Sequence, residues 1–418
     1  MQECDCFASL LRKTCEKYPG QPLTVVWYTD EVTPGNPLAP DNARKAYLIY
    51  ITVLEFGTAI RSEFAWLPAS LIKHVAVDHI EGGLARVARD VLRKWSPARL
   101  FNTGIVLLLG NLPVLVKFRR KLKLLADYAA ACAVWGGKTA SGIRPCLFCK
   151  NCVLKSSSLD QHANPDGYLV SALCCDFERF DVMEPEDYVA TARKLEETPA
   201  DLLLRAEIEC GFNYIEQGLL QSELLGFAAP EETLSDGMHN LFGSGSTIAI
   251  ATGLFVQSLQ DNGVTLELMQ SLLSATWEKP FMHANSLDSD WRVSSLLNRK
   301  KLTSKHYKGG ASELISLMPL LEHMAHKLRS QLPSMDLQFE ASLAPCAAGH
   351  EYLKLKRSNS ELDDASFVKA CNRQLETIVL AYGETAAKPK HHLCFHIGPQ
   401  SKKKPSCCGL LCARKEKP

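Results

Sequence analysis

The tightest constraint on this chain is a pair of cysteines, Cys146 and Cys149, in the run Gly142-Ile-Arg-Pro-Cys146-Leu-Phe-Cys149-Lys-Asn-Cys152. Two thiols separated by two residues can both turn toward one tetrahedral ion. The run therefore reads as half of a zinc site whose remaining ligands come from elsewhere in the chain. Asp236-Gly-Met-His239, far downstream, offers an acid and an imidazole for the other half, with Cys152 or Cys174-Cys175 as alternative ligands. The competing reading is two ordinary buried thiols, a common fate of cysteine.

Composition narrows the setting. The chain has 418 residues, 46% hydrophobic and 22% charged, a globular make-up long enough for two or three domains. It carries 16 cysteines, yet Met1-Gln-Glu-Cys-Asp-Cys6 lacks the basic start and apolar run of a secretory leader. Reduced thiols or metal ligands in a nuclear or cytoplasmic protein are expected, not a secreted disulfide framework. Lysine and arginine number 47 against 46 acids, so any surface that grips a polyanion must be local. Lys117-Phe-Arg-Arg-Lys-Leu-Lys123 and Arg299-Lys-Lys301 with Lys305-His-Tyr-Lys308 are the local candidates, although charge runs are most often solvated faces. The most apolar stretch, 104–116, is too short to span a membrane and holds Gly110, Asn111 and Pro113, so it reads as buried core.

In chain order, Leu23-Thr-Val-Val-Trp-Tyr-Thr-Asp30 has the β-branched and aromatic content of a strand and ends in an acid. Turn chemistry follows at Pro34–Pro40. Residues 45–56 and 64–74 read as two further strands of an antiparallel meander. Leu84, Val87, Ala88, Val91, Leu92 and Trp95 recur at helical spacing, marking an amphipathic helix. Residues 105–109 suggest a strand, and Lys117–Ala126 brings another up to a second acid, Asp127. From 184 to 329 the pattern turns helical, at 186–197, 200–217, 245–262, 266–276 and 311–329. Residues 341–364 read as a loop, 364–382 as a helix, and the Lys/Cys-rich end 401–418 as a disordered tail. The spacing of His391, His392 and His396 is metal-like, but the plainer reading is a solvated loop or strand face.

Taken in order, these motifs resemble eukaryotic cut-and-paste transposases, in particular the Kyakuja–Dileera–Zisupton and CACTA-like branch. Tyr28-Thr-Asp-Glu-Val-Thr-Pro-Gly-Asn-Pro-Leu38 is similar to the segment around that family's first acid. Asp127, with Gly136-Gly-Lys-Thr-Ala-Ser-Gly-Ile-Arg-Pro-Cys-Leu-Phe-Cys149, is similar to the segment around the second. Asp236-Gly-Met-His-Asn-Leu-Phe242 resembles the (C/D)xxH element, and Pro389-Lys-His-His-Leu-Cys-Phe-His396 a late PKHH element. The resemblance spans residues 24–400 through scattered short motifs whose order carries it.

The resemblance implies an α/β fold: an RNase H-like mixed sheet with a large all-helical insertion or second domain. Expected boundaries are 20–155 for the core with the first two acids and the CxxC, and 180–335 for a helical insertion domain with the DxxH. Residues 336–400 would be a loop and C-terminal helix closing on the core. The resemblance also implies a D-D-E site in which Asp30 and Asp127 share Mg²⁺ or Mn²⁺ ions and cleave or transfer a DNA strand. Glu313, at the start of the helix after the insertion, is the candidate third carboxylate. Its alternative roles are a helix-start acid, with Glu322 or an acid beyond His396 taking its place. Zinc on Cys146, Cys149, Asp236 and His239 would be structural, tying the insertion to the sheet. The partners implied are DNA and a further copy of the chain, with no membrane span. A truncated copy that has lost catalysis and survives as a zinc-stabilised binding scaffold is the alternative.

Overall fold

The computed structural model describes residues 2–32, 45–95, 103–109, 112–139, 142–154, 167–226, 228–243, 245–277, 293–302, 306–358 and 364–402. The turn expected at Pro34–Pro40 and most of the expected tail lie outside the described residues. The fold is mixed α/β. Two compact units are defined, one of residues up to Ala172 with Glu178–Asp236, the other of Leu173–Phe177 with Gly237–Lys403.

The first unit is built on a five-stranded sheet. Its strands are β1 (Val25–Val32), β2 (Ala46–Val53), β3 (Leu67–Lys73), β6 (Lys123–Ala126) and β9 (Thr233–Ser235), in the order β3-β2-β1-β6-β9. β1 to β3 form an antiparallel meander, whereas β6 and β9 run parallel to β1. β1 buries Val26, Trp27 and Thr29, which lie on both of its faces, and all four residues of β6 are buried, as befits central strands covered on both sides.

Helix α1 (Gln2–Lys17) packs on this unit through Phe7, whose ring meets Phe56 edge-on at 5.2 Å. Helix α2 (Gly83–Trp95) buries Leu84, Ala85, Val87, Ala88 and Leu92, the apolar face read from the sequence, against α3 (Tyr128–Trp135). The side chain of Asp127 caps α3 by accepting from the Ala130 N–H at 2.7 Å, and Gly136, at φ 71°, ends it in the left-handed conformation. Trp135 is 1% exposed and donates its indole N–H to Thr233 Oγ1 at 2.8 Å, fastening α3 to β9.

The apolar stretch 104–116 is an antiparallel hairpin, β4 (Ile105–Leu109) and β5 (Leu112–Val116), not the buried core expected. Val106 and Leu115 are cross-strand partners, and both are exposed, as is Leu108. A two-stranded ribbon can cover only one of its faces here, so period-two burial replaces full burial.

The second unit is helical. Its core is α7 (Thr247–Asp261), α9 (Ala311–Leu328), α10 (Asp336–Ser358) and α11 (Asp364–Tyr382). Phe255 of α7 meets Phe339 of α10 edge-on at 5.5 Å, both fully buried. Gly253 lets α7 approach closely: a Cβ there would sit 2.5 Å from the His306 backbone. Residues 336–400 belong to the same compact unit as the helices from Gly237 onward. The loop expected at 341–364 is mostly helix α10. Its inward face runs from Phe339 through Ala341, Ser342, Ala344, Cys346 and Ala348 to Tyr352 and Leu353, and the small residues of the middle turns weaken the helical period there. In the first unit, the helix read at 200–217 stops at Cys210, because Gly211 takes φ 81° there.

Candidate metal centre

Cys146 and Cys149 sit in a tight knuckle whose every turn is pinned. The Tyr128 hydroxyl, one residue after Asp127, donates to Pro145 O at 2.5 Å and accepts from the Leu147 N–H at 3.1 Å. Tyr188, 1% exposed, donates its hydroxyl to Leu147 O at 3.0 Å. The Met183 N–H reaches Phe148 O and the Lys150 N–H reaches Asp181 O, both at 2.8 Å. Asn151 stitches the far side, donating to Tyr168 O and Arg179 O and accepting from the Asp181 N–H. Within the knuckle the Phe148 N–H points at Cys146 Sγ, 3.3 Å away, a donor that favours the thiolate. Burial pushes the Cys149 thiol well above its ordinary range, and the neighbouring Cys146 adds to the effect. A bound cation reverses that balance, since metal binding takes up the thiolates and releases their protons.

The imidazoles come from a short helix, α12 (Pro389–Phe395), with His396 at its C-cap. His392 and His396 are one helical turn apart and share a face. Their Nε2 atoms lie 3.3 Å from each other, and the rings meet at 80°. Phe177 packs edge-on against His396 at 5.6 Å. His391 faces elsewhere. Its Nδ1 accepts from the Lys388 N–H at 3.1 Å, and complete burial holds the imidazole down at about 4, hence neutral.

One ligand atom from each of Cys146, Cys149, His392 and His396 lies within 4.8 Å of the others, and all four residues are buried. Two sulfurs and two nitrogens at these separations fit zinc. With Zn–N bonds of about 2.0–2.1 Å, tetrahedral geometry sets two ligating nitrogens about 3.3–3.4 Å apart, and His392 and His396 are at 3.3 Å. A buried Cys2His2 set with no carboxylate could hold a soft-to-borderline ion such as zinc as a closed structural site, and is ill suited to Mg²⁺.

Cys146 and Cys149 of the sequence reading thus lie in one group with His392 and His396, which does not include Asp236 or His239. The expected solvated loop at His391–His396 is a buried helix. HxxxH, the spacing that brings two imidazoles to one helix face, was the available signal. Asp236 follows β9 directly and His239 lies on α6 (Gly237–Leu241). Cys152 is buried in β7 (Cys152–Val153), paired with β8 (Val170–Ser171). Cys174 and Cys175 are half-exposed.

Asp30 lies on β1, and Tyr28 donates its hydroxyl to Asp30 Oδ2 at 3.0 Å. Thr29 pairs with Ala126 and Ala126 with Ser235 across the parallel strands. Asp30, Asp127 and Asp236 are the residues that directly follow these paired positions, Asp30 within β1 and the other two just beyond β6 and β9. Glu313 caps its own helix by accepting from the Gly310 N–H at 3.1 Å and pairs with Lys301 at 2.6 Å. Glu322 accepts from His350 at 2.9 Å. Among the described residues, no helix is long and apolar enough to cross a membrane. No protein-family model matches the chain, and no curated protein is significantly similar to it.

Tyr128 links the zinc knuckle to the strand end carrying Asp127. Tyr128→Phe should lower zinc affinity by about tenfold, the loss usual for an outer partner of a metal ligand. Competition against a chromophoric chelator measures it. An unchanged affinity would mean the knuckle holds its shape without the hydroxyl.

Proposed function

We propose that this chain is a transposase-derived protein with an RNase H-like sheet, whose ancestral chemistry is metal-dependent cleavage and transfer of DNA strands in the nucleus. The observation that carries the reading is the register of β1 and β6. Asp30, inside β1, and Asp127, the first residue past β6, lie far apart in sequence yet each directly follows the Thr29–Ala126 pair of these adjacent parallel strands. Parallel partners project to the same face, which is how two carboxylates come to share a pair of hard cations. The meander of β1 to β3 followed by two strands parallel to β1 supports the same reading, as does the zinc-type cluster that follows the second acid in sequence.

The test is cleavage of a labelled DNA carrying the element's ends, with Mn²⁺ or Mg²⁺ and zinc-loaded protein. Asp30→Asn and Asp127→Asn are each expected to abolish product. Cleavage that survives Asp30→Asn sinks the proposal. A second reading, a non-enzymatic zinc-stabilised scaffold, is favoured by the engagement of Glu313 with Lys301 and the Gly310 N–H. Wild-type protein that holds zinc and DNA yet yields no product under either metal would establish it.

A further inference from the structure

The basic run before β6 divides into two kinds of cation. Lys121 pairs with Glu231 at 3.3 Å, and Lys123 with Glu232. Lys117, Arg119 and Arg120 are exposed and have no ion-pair partner among the described residues. Three uncompensated charges thus stand together in a chain whose net charge is only +1. They are held rigidly: the Leu23 N–H donates to Lys117 O at 2.8 Å and the Arg119 N–H to Leu23 O at 2.7 Å, an extended segment laced to the approach to β1. Arg119 lines a cavity of about 220 Å³, together with Tyr18, Gln21, Leu54 and Glu55. Glu55, in the same cavity, accepts from the Thr24 N–H and Oγ1 at 2.8 Å each and makes no ion pair with Arg119 among the described residues. Lys17 lies 5.1 Å from the centre of the Tyr18 ring and adds a further cation.

We propose that this face is a single-stranded nucleic-acid site, in which Lys117, Arg119 and Arg120 hold backbone phosphates and Tyr18 stacks on a base. Alternate residues of an extended segment stand about 6.6 Å apart, comparable to successive phosphates of an extended strand. Guanidinium forks match phosphate oxygens bidentately, and a basic track beside an aromatic ring is the general arrangement for gripping single strands. An anionic membrane would use the charges but not the cavity. The inference rests on the DNA partner of the reading above, but not on its metal chemistry.

The experiment is fluorescence anisotropy of a labelled 20-nucleotide single strand on zinc-loaded full-length protein without added Mg²⁺ or Mn²⁺. Arg119→Ala with Arg120→Ala should weaken binding at least tenfold. It should also flatten the plot of log K against log salt by about 1.4, at roughly 0.7 per lost phosphate contact. Glu231→Gln, which frees Lys121, should tighten binding. Tyr18→Ala should weaken the strand but leave inorganic polyphosphate unchanged. Unaltered affinity and slope in the arginine double variant overturn the proposal. So does arginine-dependent binding to phosphatidylserine vesicles without binding to the strand. Arginine-dependent binding without cleavage removes only the catalytic reading, and cleavage with arginine-independent binding removes only this one.

Discussion

Replacing His392 with alanine is expected to empty the metal centre. Metal analysis should show zinc falling from about one equivalent to near zero, and the thermal midpoint should drop well below that of the loaded protein. The expectation follows from the donor set. Four buried ligand atoms lie within 4.8 Å, and losing one leaves three ligands and an opening in a site built closed. A ligand's loss should exceed the 10–100-fold cost of losing an outer partner. Zinc sites of this kind supply roughly 10–16 kcal/mol of apparent binding energy at neutral pH, much of it realised as folding energy. His391 is the internal control: adjacent, equally buried, but turned to the Lys388 backbone. His391→Asn should keep its zinc. If His392→Ala stays loaded while His239→Ala loses the ion, the centre belongs to the DxxH element instead.

Trp135→Ala should cost about 3–5 kcal/mol, the usual range for emptying a buried aromatic site. The indole is 1% exposed and its N–H reaches Thr233 on a different strand. Deleting it opens a cavity between helix and sheet and strands the Thr233 hydroxyl, itself 1% exposed, at a further 1–3 kcal/mol or so. Urea unfolding followed by fluorescence and circular dichroism measures the sum, and Thr233→Val isolates the hydrogen-bond part. A loss below about 1 kcal/mol would mean that α3 is not seated on β9.

How legible the chain was depended on how much of each signal is local. β1 and α2 were readable because β-branched alternation and a six-membered helical period are properties of ten residues at a time. The neighbouring placement of β1 and β6 was implied by the family resemblance alone, since nothing in either segment by itself says which strand it joins. β9 was not readable, since three residues carry no period; it is a strand only because β6 offers it hydrogen bonds. Helix α10 was missed because its middle turns, from Ala341 to Ala348, bury only small side chains, and period-finding weighs large ones. The imidazole half of the metal centre was seen and set aside. His391, His392 and His396 look solvated in isolation, and only packing shows that the polar ring atoms of two of them converge while the third turns away.

Asp127 would serve twice if the proposed reading holds, and that has a consequence for how such a chain ages. One carboxylate oxygen caps α3, so its loss to alanine would disturb the helix as well as any ion. Asparagine caps a helix as well as aspartate does, and a single transition in the codon converts one to the other. Under the proposed reading, a gene drifting without selection can therefore silence the chemistry in one step and leave a folded, zinc-bearing protein behind, free to be retained for whatever its surface holds.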